Sequence, residues 1–156
     1  ILNHFVDCSY RSCDIRFSFK KRTVMAQNII KHVKDMVADA NSEVKTTPIA
    51  DASNYYNDEK FVFVDIRDPR EIKREGKIPN SLSCPRGMLE FWIDPESPYH
   101  KDAFNQDKHY VFYCAAAGRS ALAAKAAQDM GLKPVSHLEG GFAAWKKSGN
   151  EVETLE

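Results

Sequence analysis

Tyr110-Val111-Phe112-Tyr113-Cys114-Ala115-Ala116-Ala117-Gly118-Arg119-Ser120 is the stretch from which the rest of the chain can be read. An apolar run stops abruptly at Cys114, a loop of small residues follows, and from there to Met130 the composition is that of an alanine-rich helix. The run reads as a buried strand and the alanines as helix, since alanine loses no side-chain entropy there. The thiol therefore sits at a strand-to-helix bend, where loop amides and the positive end of the helix converge. That placement favours thiolate over thiol and suits an anion beside it. Three alanines and a glycine leave the backbone uncovered, free to curl into an anion-binding nest. Arg119 adds a permanent positive charge at the far end of the loop, matched to a sulfonate or phosphate group. A lone cysteine at a strand end is commonly just a small buried hydrophobe; loop, arginine and helix together point instead to a nucleophile.

Working outward, strand and helix alternate. Phe61 to Ile66 reads as a buried strand, and Asp68-Pro69-Arg70-Glu71 as a capping box with proline in the first helical position, opening a helix that Gly76 ends. Ser81 to Cys84 is a weak strand closed by Pro85; Gly87 to Trp92 and Pro98 to Phe104 are short helical pieces. After the central strand (His109 to Tyr113) and its helix come a strand at Val135 to Leu138, a Gly140-Gly141 turn and a last helix, Phe142 to Lys147. Upstream, Thr47-Pro48 signals the start of a short helix reaching Tyr55 or Tyr56. From Val24 to Ala40, the residues Met25, Ile29, Ile30, Val33, Met36 and Val37 paint one apolar stripe on a predicted amphipathic helix. Its expected partner is the body of its own domain, or a second copy of the chain in a homodimer. The alternation predicts an α/β fold: a mostly parallel sheet with helices on both faces, because parallel strands need crossovers. Ligands then bind beyond the carboxyl ends of the strands, where Cys114 lies.

Length and composition set bounds. A chain of 156 residues, 43% hydrophobic, accommodates one domain, expected over residues 25–150, with a short C-terminal tail at 151–156. Residues 1–24 carry the basic cluster Lys20-Lys21-Arg22 and no sustained period; a vector-derived piece, a read-through and a true extension all fit them. Lysine plus arginine equals aspartate plus glutamate at 22 each, so no global field gathers nucleic acid or anionic membrane. No apolar stretch approaches a membrane span. Cys8, Cys13, Cys84 and Cys114 fall in no metal-ligand spacing and form no disulfide framework, which predicts a reducing cytoplasm and no metal.

Several separated segments resemble one family. Val64-Asp65-Ile66-Arg67-Asp68-Pro69 with Glu71, Gly76-Lys77-Ile78-Pro79-Asn80-Ser81, Cys114 through Ser120, and Leu138-Glu139-Gly140-Gly141-Phe142 with Trp145 and Gly149 are together similar to the rhodanese (sulfurtransferase) domain, in order over residues 45–150. The resemblance implies a five-stranded parallel sheet and a catalytic Cys114 that carries sulfane sulfur as a persulfide, with no cofactor. One departure is visible: family members often read Gly-His-Ile-Pro-Gly-Ala where this chain has Gly76 to Ser81, so a role for that histidine does not carry over.

Loop length separates neighbouring chemistries. Phosphatases and arsenate reductases of similar thiol-and-arginine logic place five residues between the two groups, whereas four separate Cys114 from Arg119 here. The smaller cradle fits one extra sulfur atom better than a tetrahedral oxyanion. The expected cycle takes sulfur from thiosulfate or a similar donor onto Cys114 and passes it to cyanide or a thiol. The backbone N–H groups of Ala115, Ala116, Ala117, Gly118, Arg119 and Ser120 would surround the anionic tip. Arg119 reads either as the group that orients the donor or as a salt bridge bracing the loop, and Arg86 as a second anion contact or a surface charge. Cys84 is a resolving thiol or, better, a buried strand residue; Asp65 and Arg67 read as braces; His137 and Trp145 as packed residues. Phe91, Trp92 and Tyr99 form a rim over the pocket or belong to the core. A non-catalytic rhodanese-like binding module is the rival from another class.

Overall fold

The strand that ends in Cys114 occupies the middle of the sheet. In the computed structural model, which describes residues 27–155, five parallel strands lie in the order β1-β5-β4-β2-β3: β1 (Lys45–Thr47), β2 (Phe61–Asp65), β3 (Leu82–Ser83), β4 (His109–Tyr113) and β5 (Val135–Leu138). Six helices accompany them: α1 (Val33–Glu43), α2 (Ile49–Tyr55), α3 (Pro69–Glu75), α4 (Leu89–Ile93), α5 (Gly118–Asp129) and α6 (Gly141–Lys147). All of these belong to one compact unit, Lys31–Glu156.

Residues 110–113 of β4 are fully buried, which is why β4 reads as a continuous apolar run rather than an alternating one. The period of two survives in the packing. Tyr110, Phe112 and Cys114 join the core under α4 and α5 with Leu89, Ala123, Ala124 and Ala127, while Val111 and Tyr113 join Phe63, Leu138, Phe142 and Trp145 on the opposite face. The thiol thus points to the α5 side by simple continuation of the strand.

Two elements differ from the sequence reading. Helix α1 begins at Val33, not Val24, and runs on to Glu43; its docking stripe is Val37, Ala40 and Val44, with Ala40 and Val44 buried and Val33 and Met36 exposed. Three-and-four spacing is kept, but shifted toward the C-terminus, and the helix packs on α5. The first expected stripe residue, Met25, lies outside the described residues, as do Cys8 and Cys13. The Thr47-Pro48 signal does open a helix, but Thr47, the expected N-cap, ends the edge strand β1 and pairs with Leu138, while Pro48 takes the N-cap of α2. Pro98 to Phe104 is helical only as a single tight turn at Asp102–Phe104.

The chain end is docked. Trp145 Nε1 donates to the Glu151 carbonyl at 2.7 Å, and Lys77 and Glu153 form an antiparallel bridge. Gly76 is required there: a Cβ on it would lie 2.5 Å from Val152 and 2.8 Å from the Glu153 carbonyl.

Candidate active site

After β2 the chain moves to β3 on one side; after β4 it moves to β5 on the other. The carboxyl ends of β2 and β4 therefore flank the crevice where connections diverge, the place where such sheets bind ligands. The Arg67-Asp68 turn leaves β2 there, and the Cys114 loop leaves β4.

The loop is shaped from behind by α6. Phe142 N–H donates to the Cys114 carbonyl at 2.8 Å and Ala143 N–H to the Ala115 carbonyl at 3.0 Å. Peptide planarity then turns the N–H groups of Ala115 and Ala116 away from α6. Only glycine allows this approach: a Cβ on Gly141 would stand 2.5 Å from the Cys114 oxygen. At the other end Ala117 takes a left-handed conformation, φ 69°, and caps α5 with its carbonyl, which accepts from Ala121 N–H at 3.0 Å and from Ser120 Oγ at 3.1 Å. The left-handed residue is thus an alanine, one position before the glycine. Among the described residues, no hydrogen bond uses the N–H of Ala115, Ala116, Ala117, Gly118, Arg119 or Ser120. The loop runs from a buried thiol to an open crest: Cys114 is 1% exposed, while Ala116 is open to solvent.

Of the two readings that the sequence left for Arg119, the bracing one is observed. Arg119 Nη1 and Nη2 donate to the Glu71 carboxylate, both at 2.8 Å, so a bracing salt bridge is present. That pair uses only the end of the guanidinium fork, and Nε–H donates to nothing among the described residues. The guanidinium is held protonated well above its ordinary range, first by the Glu71 hydrogen bonds and further by the Cys114 sulfur. Arg86 lines the same cleft of about 320 Å3 as Arg119, together with Met36, Leu122, Lys125, Ala126 and Asp129, but donates to Glu90 at 2.9 and 3.0 Å. The structure therefore brings Arg86 and Arg119 to one cleft, each with its own carboxylate.

Other candidates resolve differently. Cys84 is fully buried, and burial pushes its thiol up to about 12. Asp65 pairs in register with both Tyr113 and Ser83, so Cys84 and Cys114 sit two strand spacings apart, roughly 9–10 Å, too far for a disulfide without backbone movement. Asp65 and Arg67 form a fully buried pair at 2.7 Å, and Arg67 also donates to the Gly76 carbonyl at 2.7 Å and stacks on Phe142 at 4.1 Å. That brace ties the end of α3 to β2 and α6. His137 is buried with Nε2 3.0 Å from Thr46 Oγ1, and Trp145 lies in the core. Trp92 is half-buried against the core, whereas Phe91 and Tyr99 are exposed and meet edge to face at 6.4 Å. Among the described residues no helix is long and apolar enough to cross a membrane.

Glu71 is the site residue that sequence reasoning missed as such. It was legible as the third residue of a capping box, and it is one: Glu71 accepts from Asp68 N–H at 3.2 Å while the Asp68 side chain accepts from Arg70 N–H. That its other partner is an arginine 48 residues away needs the sheet to be assembled first.

The rhodanese-like domain family matches residues 49–148. The chain belongs to that family. A sulfurtransferase of Allochromatium vinosum is 31% identical over 114 residues, covering 73% of this chain and 92% of its own length. The mitochondrial thiosulfate sulfurtransferase RDL2 of Saccharomyces cerevisiae is 26% identical, with 85% and 91% covered. Among solved structures, a protein of unknown function from Rhodopseudomonas palustris CGA009, described as a possible tyrosine phosphatase, is 59% identical with a TM-score of 0.80, covering 83% of this chain and 99% of its own. In this rhodanese-like domain the five-stranded parallel sheet expected from the resemblance is present.

Proposed function

We propose that the protein is a sulfurtransferase that moves sulfane sulfur from a thiosulfate-like donor to a thiol or cyanide through a persulfide on Cys114. The observation that carries this reading is a buried thiol at the end of the central strand, followed by six successive backbone N–H groups that make no hydrogen bond among the described residues. A persulfide places its charged outer sulfur about 2 Å beyond Sγ, where those unused N–H groups are the donors available to it. In the first step the Cys114 thiolate attacks the outer sulfur of thiosulfate; the new S–S bond forms as the old one breaks, and sulfite leaves with the electron pair. In the second, the acceptor's nucleophile attacks the outer sulfur, and the Cys114 thiolate is the leaving group. The amides and the head of α5 stabilise the anion between the steps without reorganising. Arg119, through its free Nε side, is the group placed to orient the donor's oxygens.

Incubation with thiosulfate followed by intact mass measurement tests this. The wild type gains one sulfur atom and Cys114→Ala gains none. No gain in the wild type favours the non-catalytic module, and equal gain in the variant moves the site elsewhere.

A phosphatase reading has one support, the description attached to the R. palustris relative. Against it stand the four-residue spacing from Cys114 to Arg119 and the engagement of the arginine's end-on fork by Glu71. A phosphatase would hydrolyse aryl phosphates through Cys114 and be inhibited by vanadate; the sulfurtransferase does neither.

A further inference from the structure

The arrangement around Arg119 holds more than a salt bridge. A guanidinium offers two bidentate faces, one at the Nη1 and Nη2 tips and one along Nε and an Nη. Glu71 occupies the first through two equal contacts of 2.8 Å. A planar group held by both tips loses its rotational freedom, and its second face is fixed in direction. Glu71 is itself fixed, because its Oε2 also accepts from Asp68 N–H at the start of α3. The neighbouring cations of the cleft are held elsewhere: Arg86 by Glu90, and Lys125 by Glu43 and Asp129. Arg119 is the cleft cation that belongs to the Cys114 loop.

We infer that Glu71 is a positioning residue for sulfur transfer, aiming the free side of the Arg119 guanidinium at the Cys114 sulfur and at the oxyanion of the incoming donor. This rests on the sulfurtransferase reading for its substrate; its geometry stands without it. The arginine keeps its charge whatever Glu71 does, since guanidinium does not deprotonate in proteins. What Glu71 supplies is direction.

Simple electrostatics predicts the opposite sign for its removal. A carboxylate near an anion site repels both thiolate and donor, so a Glu71 that only screened Arg119 would, when neutralised, leave donor binding tighter and the thiolate easier to form. If Glu71 positions Arg119, neutralising it leaves binding weaker and the thiolate harder to form.

Glu71→Gln is the suitable variant because glutamine also serves in a capping box, so the start of α3 is retained. Two quantities are measured for wild type and E71Q. The first is KM for thiosulfate in cyanide-dependent turnover. The second is the pH midpoint of Cys114 alkylation by iodoacetamide, followed by mass on the Cys114 peptide. The expected results are a KM raised about tenfold and a midpoint moved upward by about one pH unit. An unchanged or lowered value of either overturns the inference. Glu71→Asp, which keeps the charge but withdraws the carboxylate by one methylene, moves both in the same upward direction; no movement there also overturns it. In an Arg119→Met background, Glu71→Gln raises neither quantity, whereas a rise as large as in the wild type shows that Glu71 does not act through Arg119. If the wild type takes up no sulfur, the sulfurtransferase reading falls, and the alkylation midpoint alone decides the role of Glu71.

Discussion

Ala117 is the residue at which local strain and function meet. An L-residue at φ 69° sits where Cβ crowds the neighbouring carbonyl, at a cost of about 1–2 kcal/mol that glycine avoids. Glycine's greater unfolded-state freedom returns about 0.5–1 kcal/mol of that. Ala117→Gly is therefore expected to raise the stability by about 0.5–1 kcal/mol, read from the urea midpoint; a loss of stability would show that the alanine methyl is used in packing. The sequence made the loop legible as a loop, because small residues after an apolar run have few other meanings. It did not reveal which residue turns left-handed. The turn falls at Ala117, one residue before Gly118. Glu71 shows the same limit: its capping role is local and was readable, while its grip on Arg119 depends on two loops brought together by β2 and β4.

At the scale of elements, α6 matters to the site as much as α5. Its first turn presses on the back of the loop at Gly141, and its amides hold the Cys114 and Ala115 carbonyls. Gly141→Ala forces a methyl into 2.5 Å of the Cys114 oxygen at a backbone φ of 63°, and is expected to cost about 3 kcal/mol and to abolish sulfur loading. A folded, fully active variant, judged by denaturation and mass, would mean that the α6 contact does not shape the cradle. Long buried elements were plain from pattern alone, as β2, β4, β5 and α5 show. The edge strand β1 was not, since three residues, two of them exposed, carry no periodicity. For α1, an apolar stripe was read correctly in kind and misplaced in register, because Ile29 and Ile30 resemble core residues while Ala40 and Val44 do the docking. Val44→Ala should cost about 2 kcal/mol and Val33→Ser less than about 0.5 kcal/mol; the reverse ranking would mean that α1 docks through Val33 instead.

For the molecule as a whole, the acid limb of stability follows from groups whose folded pKa is depressed. Burial lowers His109 and His137 below 6.5, so the unfolded chain takes up protons that the native state refuses once pH falls past that value. Arg119 holds the Glu71 carboxyl down to about 2 from 4.5, so its stabilisation is complete above 4.5 and is lost between there and about 2. Both act in one direction. The urea midpoint is expected to be flat from pH 7 to about 8, to fall below 6.5 and again below 4.5, and to fall above 9.0 as the unfolded chain releases the Cys84 proton that burial holds in the native state. A midpoint unchanged down to about pH 5 would show that the two histidines are not buried as neutral groups.

The central claim is that the Cys114 loop holds one extra sulfur as an anion. Sulfite release measured on mixing with thiosulfate, without any acceptor, tests it most directly. A burst of one sulfite per chain, matched by a sulfur atom on the Cys114 peptide and absent in Cys114→Ala, is the predicted result. No burst, together with release of phosphate from an aryl phosphate through Cys114, would contradict it.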